Sequence, residues 1–130
     1  MALDLCEVCH LMWSQGWVAA NDGNVSVRRD DGTIVCTPSG VSKREIEPDM
    51  LVVIDSAGRV VEGDRRPSTE MAMHLRCYAD REDVRAVVHA HPPYATAFAA
   101  ADRALDGITT LDRQLPEPCQ LRCLHTWQSS

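Results

Sequence analysis

The chain lacks a long apolar run, an excess of basic charge, a leader-like start and any low-complexity stretch, and each absence removes a class of protein. No apolar run approaches the roughly 18 residues that a membrane-spanning helix needs, so no membrane partner is expected. The 13 Lys and Arg are outnumbered by 19 Asp and Glu, and a formal net charge of -6 leaves no basic footprint for nucleic acid. The opening Met1-Ala2-Leu3-Asp4-Leu5-Cys6-Glu7 has neither the basic start nor the uninterrupted apolar core of a signal peptide, which points to the cytoplasm. The 7 Gly and 7 Pro are scattered, and no internal repeat is evident. What remains is 130 residues with 45% hydrophobic and 25% charged content, enough for one modest domain with a real core.

Six cysteines in a chain with no export signal read as reduced thiols rather than a disulfide framework. Cys6 and Cys9, paired with Cys119 and Cys123, would make a zinc ribbon. Against that reading, Cys6 and Cys9 sit in a segment with helical apolar spacing, where residues three apart simply share a buried face.

Leu3, Leu5, Val8, Leu11 and Met12 recur at helical spacing, which predicts a helix over residues 2–15 that stops near Gly16. Residues 25–28 and 33–37 read as strands joined through Asp30-Asp31-Gly32, and residues 51–55 and 59–62 as a second hairpin around Ser56-Ala57-Gly58. Ser42 is expected to cap a single helical turn through Glu45. Pro67-Ser68-Thr69-Glu70 reads as a helix start with Ser68 or Thr69 as cap, the helix burying Met71, Leu75 and Tyr78. Residues 84–91 form a valine-rich strand, and Pro92-Pro93 opens an alanine-rich helix through Ala101. Beyond Gly107 periodicity is lost. The organisation expected is a mixed α/β domain over residues 1–107 and a divergent, irregular tail over 108–130.

Residues two apart on a strand share a face, so His89 and His91 would project together as a chelating pair. On a helix they would diverge by about 200° and could not chelate one ion. Paired neutral imidazoles suit Zn²⁺ and other first-row divalent metals. The bland alternative is two strand-end histidines bonded to water or backbone. Three turns, Gly23-Asn24-Val25-Ser26, Thr37-Pro38-Ser39-Gly40 and Pro67-Ser68-Thr69-Glu70, offer N–H groups and small hydroxyls of the kind an anion needs, although each taken singly is an ordinary turn. Glu70 is either a routine acidic residue at a helix start or a proton carrier beside a bound carbonyl. His74, one turn later on the same face, either packs against and orients Glu70 or is simply a core histidine, the blander reading, and His10 is expected on the surface.

Together and in this order, Asp22-Gly23-Asn24-Val25-Ser26, Thr37-Pro38-Ser39-Gly40, Pro67-Ser68-Thr69-Glu70 and His89-Ala90-His91-Pro92 resemble the class II aldolase/adducin family, over about residues 3–106. The resemblance implies a three-layer α/β/α sandwich around a largely antiparallel sheet, usually assembled as a homotetramer. It implies a cradle for a substrate phosphate at Gly23, Asn24, Ser39, Gly40, Ser68 and Thr69, an acid/base at Glu70, and zinc ligands at His89 and His91. The implied reaction is aldol cleavage of a small phosphorylated sugar, such as L-fuculose 1-phosphate, to a dihydroxyacetone-phosphate-type product and an aldehyde. Epimerase, dehydratase or decarboxylase chemistry on a related sugar phosphate uses the same scaffold.

The motifs fade after Leu105-Asp106, and Leu124-His125-Thr126-Trp127 does not resemble the family's third zinc-ligand segment. A frameshifted or substituted tail accounts for that loss. The isolated chain is then expected to be a fragment of low or no activity, with unpaired sheet edges.

Overall fold

In the computed structural model, residues 1–103 are described; the tail, with Cys119, Cys123 and His125, lies outside them. The chain divides into two units, the first covering Met1–His91 and the second beginning at Pro92.

The first unit is a sheet with one helix layer on each face. Helix α1, Ala2–Ser14, buries Leu5, Cys6, Cys9 and Met12. Leu3, Val8 and Leu11, which share the helical spacing, stay exposed, because the buried stripe runs through the two cysteines instead. The helix closes in a Schellman motif: Gly16, at φ 68, donates to Trp13 O at 3.0 Å and Trp17 donates to Met12 O at 2.9 Å.

Five strands follow: β1 Asn24–Arg28, β2 Ile34–Cys36, β3 Val52–Ile54, β4 Val60–Glu62 and β5 Ala86–His89. They form one sheet in the order β4-β3-β2-β1-β5, with every neighbouring pair antiparallel. The β1–β2 turn is tied by Asp31, whose Oδ1 accepts the Thr33 N–H at 2.9 Å and its hydroxyl at 2.6 Å. Between β2 and β3, residues 42–45 form a turn rather than the expected helical turn, with the Ser42 hydroxyl accepting the Arg44 N–H at 3.3 Å. The helical turn comes later, a 3₁₀ segment at Pro48–Met50, where proline presets φ at the first position.

Helix α2, Met71–Asp80, starts later than the motif suggested, with Glu70 rather than Ser68 or Thr69 at its cap. Ser68 instead shapes the entry, its hydroxyl accepting the Glu70 N–H at 3.3 Å and its carbonyl the Met71 N–H at 3.2 Å. Arg28 fixes the other end of α2, donating to the carbonyls of Tyr78, Arg81, Glu82 and Val84 at 2.6–3.2 Å.

Strand alternation sends side chains to two separate cores. On one face Val25, Val35 and Val53 pack with the buried stripe of α1. On the other, Ile34, Cys36, Val52 and Ile54 pack with Met71 and Tyr78 of α2. This is the three-layer α/β/α arrangement with an antiparallel sheet that the family resemblance implies. At its two ends Val60 and Val61 on β4 and Val88 on β5 are all more than 40% exposed. The second unit contributes α3, Pro93–Ala100, with proline at its first turn as expected.

Candidate active site

The register of β1 against β5 places Asn24 opposite His89, both on the α2 face of the sheet. Glu70, at the α2 cap, meets them there: its Oε2 accepts from the Asn24 amide and lies 3.1 Å from His89 Nδ1. His91 stands two residues beyond His89, past the end of β5, yet its Nε2 is 3.2 Å from His89 Nε2. Its backbone anchors it, the His91 N–H donating to Trp17 O at 2.8 Å. Ligating atoms of Glu70, His89 and His91 all lie within 4.8 Å of one another.

That donor set fits a first-row divalent cation. With Nδ1–H of His89 directed to the carboxylate, its Nε2 lone pair is left toward His91 Nε2, and two lone pairs facing at 3.2 Å repel unless a cation or proton lies between them. A carboxylate bonded to the second nitrogen of a ligating imidazole also fixes its tautomer.

Behind Glu70 runs a buried polar chain whose direction is settled by elimination. An ionised carboxylate only accepts, so Asn24 presents its amide N–H to Glu70 and its Oδ1 to His74 Nε2, 2.5 Å away. His74 therefore donates from Nε2, and its Nδ1 accepts from the Ser26 hydroxyl at 2.7 Å. Ser26 in turn accepts from Tyr78 OH at 2.8 Å. Every donor from Tyr78 onward points toward Glu70. His74 is 0% exposed, and burial pulls its pKa down to about 4. It is neutral at pH 7, as the chain requires. The core placement expected for His74 holds. The alternative reading of His74, that it packs against or orients Glu70, bears on this chain, since His74 reaches Glu70 through Asn24. Sequence reasoning misses Ser26 and Tyr78, although one signal exists: Ser26 interrupts Val25-Ser26-Val27 on a strand covered on both faces.

Beside this cluster lies a cavity of about 230 Å³. All six residues of the expected cradle line it, namely Gly23, Asn24, Ser39, Gly40, Ser68 and Thr69, together with Glu70 and His91. An antiparallel bridge between Pro38 and Pro67 holds two of the turns side by side, with Ser39 N–H donating to Arg66 O at 2.8 Å. Gly23 is required on two counts: its φ is 69, and a Cβ there would stand 2.5 Å from a Val18 methyl and 2.8 Å from His89 O.

Among the described residues no cysteine takes part, and Cys119 and Cys123 lie outside them. Cys6 and Cys9 are buried under α1, and burial pushes the Cys9 thiol up to about 12, far from the thiolate a zinc ribbon needs. His10 is half-buried, its Nε2 lying 3.0 Å from Ile46 O.

A three-layer α/β/α fold that brings two imidazoles and a carboxylate together beside a turn-lined cavity is the architecture of the class II aldolase fold, with a group of residues that could hold a metal ion. The chain belongs to the class II aldolase and adducin N-terminal domain family, whose sequence signature matches residues 3–127 and so runs past Asp106. It is 39% identical over 101 residues to 5-deoxy-D-ribulose 1-phosphate aldolase of Bacillus thuringiensis serovar kurstaki, covering 77% of this chain and 47% of that one. It is 34% identical over 103 residues to L-fuculose phosphate aldolase of Methanococcus vannielii, covering 79% of this chain and 55% of the relative. Among solved structures, an L-fuculose 1-phosphate aldolase matches at TM-score 0.73 and 36% identity, over 78% of this chain and 49% of that one. The L-fuculose-1-phosphate aldolase of Thermus thermophilus matches at TM-score 0.64 and 34% identity, over 74% and 48% of the two chains. The chain thus spans about half the length of the relatives it matches.

Proposed function

We propose that this chain carries the metal-binding and proton-transfer part of a divalent-metal-dependent aldolase acting on a small phosphorylated sugar. The observation that carries this reading is the convergence of Glu70, His89 and His91 at the edge of a cavity lined by all six cradle residues.

His89 and His91 would hold the metal, with zinc the ion best suited to their imidazoles. When bound, such an ion polarises carbonyl and hydroxyl oxygens as a Lewis acid. The turns at Gly23-Asn24, Ser39-Gly40 and Ser68-Thr69 hold the phosphate through N–H groups and hydroxyls, so that binding aligns the sugar carbon beside Glu70. Glu70 moves the proton. Its Oε2 is taken up by the Asn24 amide and His89 Nδ1, which leaves Oε1 to receive the proton and return it. Because the chain from Tyr78 donates toward Oε2, it fixes which oxygen works.

The cytoplasmic setting is part of this proposal, as is the homotetramer, which sedimentation of the purified chain tests. The function is tested by metal analysis of the wild type, His89→Ala and Glu70→Ala proteins, with aldol cleavage of L-fuculose 1-phosphate measured alongside. The reading expects zinc in the wild type and little in His89→Ala, and whatever cleavage the wild type shows should fall in Glu70→Ala by about 10²–10⁴-fold, the usual worth of a positioned acid/base. Zinc retained after His89→Ala removes the metal assignment. A wild-type chain that takes up no metal supports the alternative, a domain that keeps the fold without the chemistry.

A further inference from the structure

The cavity has an electrostatic problem. Two carboxylates, Asp22 and Glu70, line it, and among the described residues no lysine or arginine does. A tetrahedral dianion held there by N–H groups and hydroxyls alone would lie against two like charges.

A cation lies behind the lining. Lys43 is 1% exposed, and its Nζ donates to Val41 O at 3.1 Å and to Asn21 O at 3.4 Å. Asn21 leads directly into Asp22-Gly23-Asn24, and Val41 directly follows Ser39-Gly40. The ammonium therefore clamps two of the cavity's turns together. None of the ion pairs among the described residues includes Lys43. These two hydrogen-bond partners are neutral carbonyls, which satisfy N–H groups without cancelling charge. The charged and titratable groups that act on it are Asp22, Glu70 and the Cys9 thiol, while burial pulls its pKa below the ordinary lysine value. Keeping a lysine at such a position costs stability that an apolar side chain of similar length would not.

We propose that Lys43 is the buried countercharge of the cavity: a positioning residue that joins the turns at 21–24 and 39–41 and supplies the positive potential that lets a phosphate-type dianion rest beside Asp22 and Glu70. This rests on reading the cavity as an anion cradle. His91 lines the cavity as well, so a metal held by the histidines would border the cradle, and Lys43 adds a charge held directly behind the turns themselves. Lys43 makes no contact with the reacting atoms; it acts through the turns and through its field.

The test separates charge from shape. Binding of sulfate (charge −2) and methanesulfonate (charge −1), both tetrahedral at sulfur, is followed by amide NMR at Gly23, Ser39 and Gly40 in wild type, Lys43→Met and Lys43→Arg. Lys43→Met should weaken sulfate by about tenfold and methanesulfonate by distinctly less, since the lost attraction scales with ligand charge. Lys43→Arg, where it folds, should keep the preference for sulfate. Equal weakening of both anions by Lys43→Met, or no weakening, overturns the countercharge. A measurement on the wild type covers the case in which neither variant folds. By linkage, saturating sulfate must raise the pH midpoint of the Lys43 Cε signal, and an unmoved midpoint overturns the proposal. A wild type that binds neither anion overturns the cradle reading itself, and the countercharge with it.

Discussion

The two faces of the sheet are built from the same strands and do different work. On the α1 face, Val25, Val35 and Val53 meet Leu5, Cys6, Cys9 and Met12 in an apolar core. On the α2 face the same β1 strand turns Asn24 and Ser26 inward, where they meet His74 and Tyr78 and lead to Glu70. A shift of one residue along β1 separates packing from chemistry. The α1 face can be judged by volume alone, whereas the α2 face must satisfy every donor and acceptor. It does so: among the described residues no buried side-chain nitrogen or oxygen lacks a partner.

The largest effect expected sits where the faces join. Gly23→Ala places a Cβ against Val18 and His89 O at a positive φ, and should cost about 3 kcal/mol through strain and overpacking. Urea unfolding measures it, and a loss below about 1 kcal/mol would mean that the loop is not held as described.

Acid should act on the α2 face. In the unfolded chain His74 takes up a proton near 6.5, while in the folded chain it resists until about 4. The unfolded state therefore binds more protons in that window. Stability attributable to His74 is full above about pH 6.5 and is lost as pH falls toward 4, by at most about 3 kcal/mol. Comparing urea midpoints at several pH values for wild type and His74→Gln isolates this part, and an unchanged slope in the variant would contradict it.

Single-atom deletions sharpen the contrast between faces. Ser26→Ala leaves His74 Nδ1 buried without a donor and should cost about 2 kcal/mol. Cys9→Ala removes one sulfur from the apolar face and should cost about 1 kcal/mol, since only packing is lost. Equal costs would break the distinction. The smallest effect expected lies outside both faces: Ala20 holds φ 46 without being glycine, so Ala20→Gly should stabilise by about 0.5 kcal/mol in thermal unfolding.

Much of this fold was legible because its signals are local. The helix over Ala2–Ser14, the Asp31-Gly32 turn and the valine-rich β5 follow from periodicity and turn chemistry. The stripe that α1 buries was less legible, since Leu3 and Leu11 have the right spacing and still face outward while the two smaller cysteines pack inward. The residues meeting at the cavity follow from motif order, yet their convergence depends on the antiparallel pairing of β1 with β5 and on the Pro38–Pro67 bridge, which no local pattern reveals. The polar chain was hidden for the same reason: Ser26, His74 and Tyr78 are ordinary residues until α2 is laid across β1. Lys43 reads as a surface lysine in any one-dimensional view.

The account depends most on His89 and His91 presenting their Nε2 lone pairs to one metal ion while His74 stays outside, locked as the Nε2–H tautomer. Zinc titration of the chain, followed through the histidine ring nitrogens by long-range ¹H–¹⁵N NMR, tests this directly. One equivalent of zinc should shift Nε2 of His89 and His91 and leave the His74 pattern unchanged. Zinc that shifts His74, or that leaves His89 and His91 where they were, would contradict it.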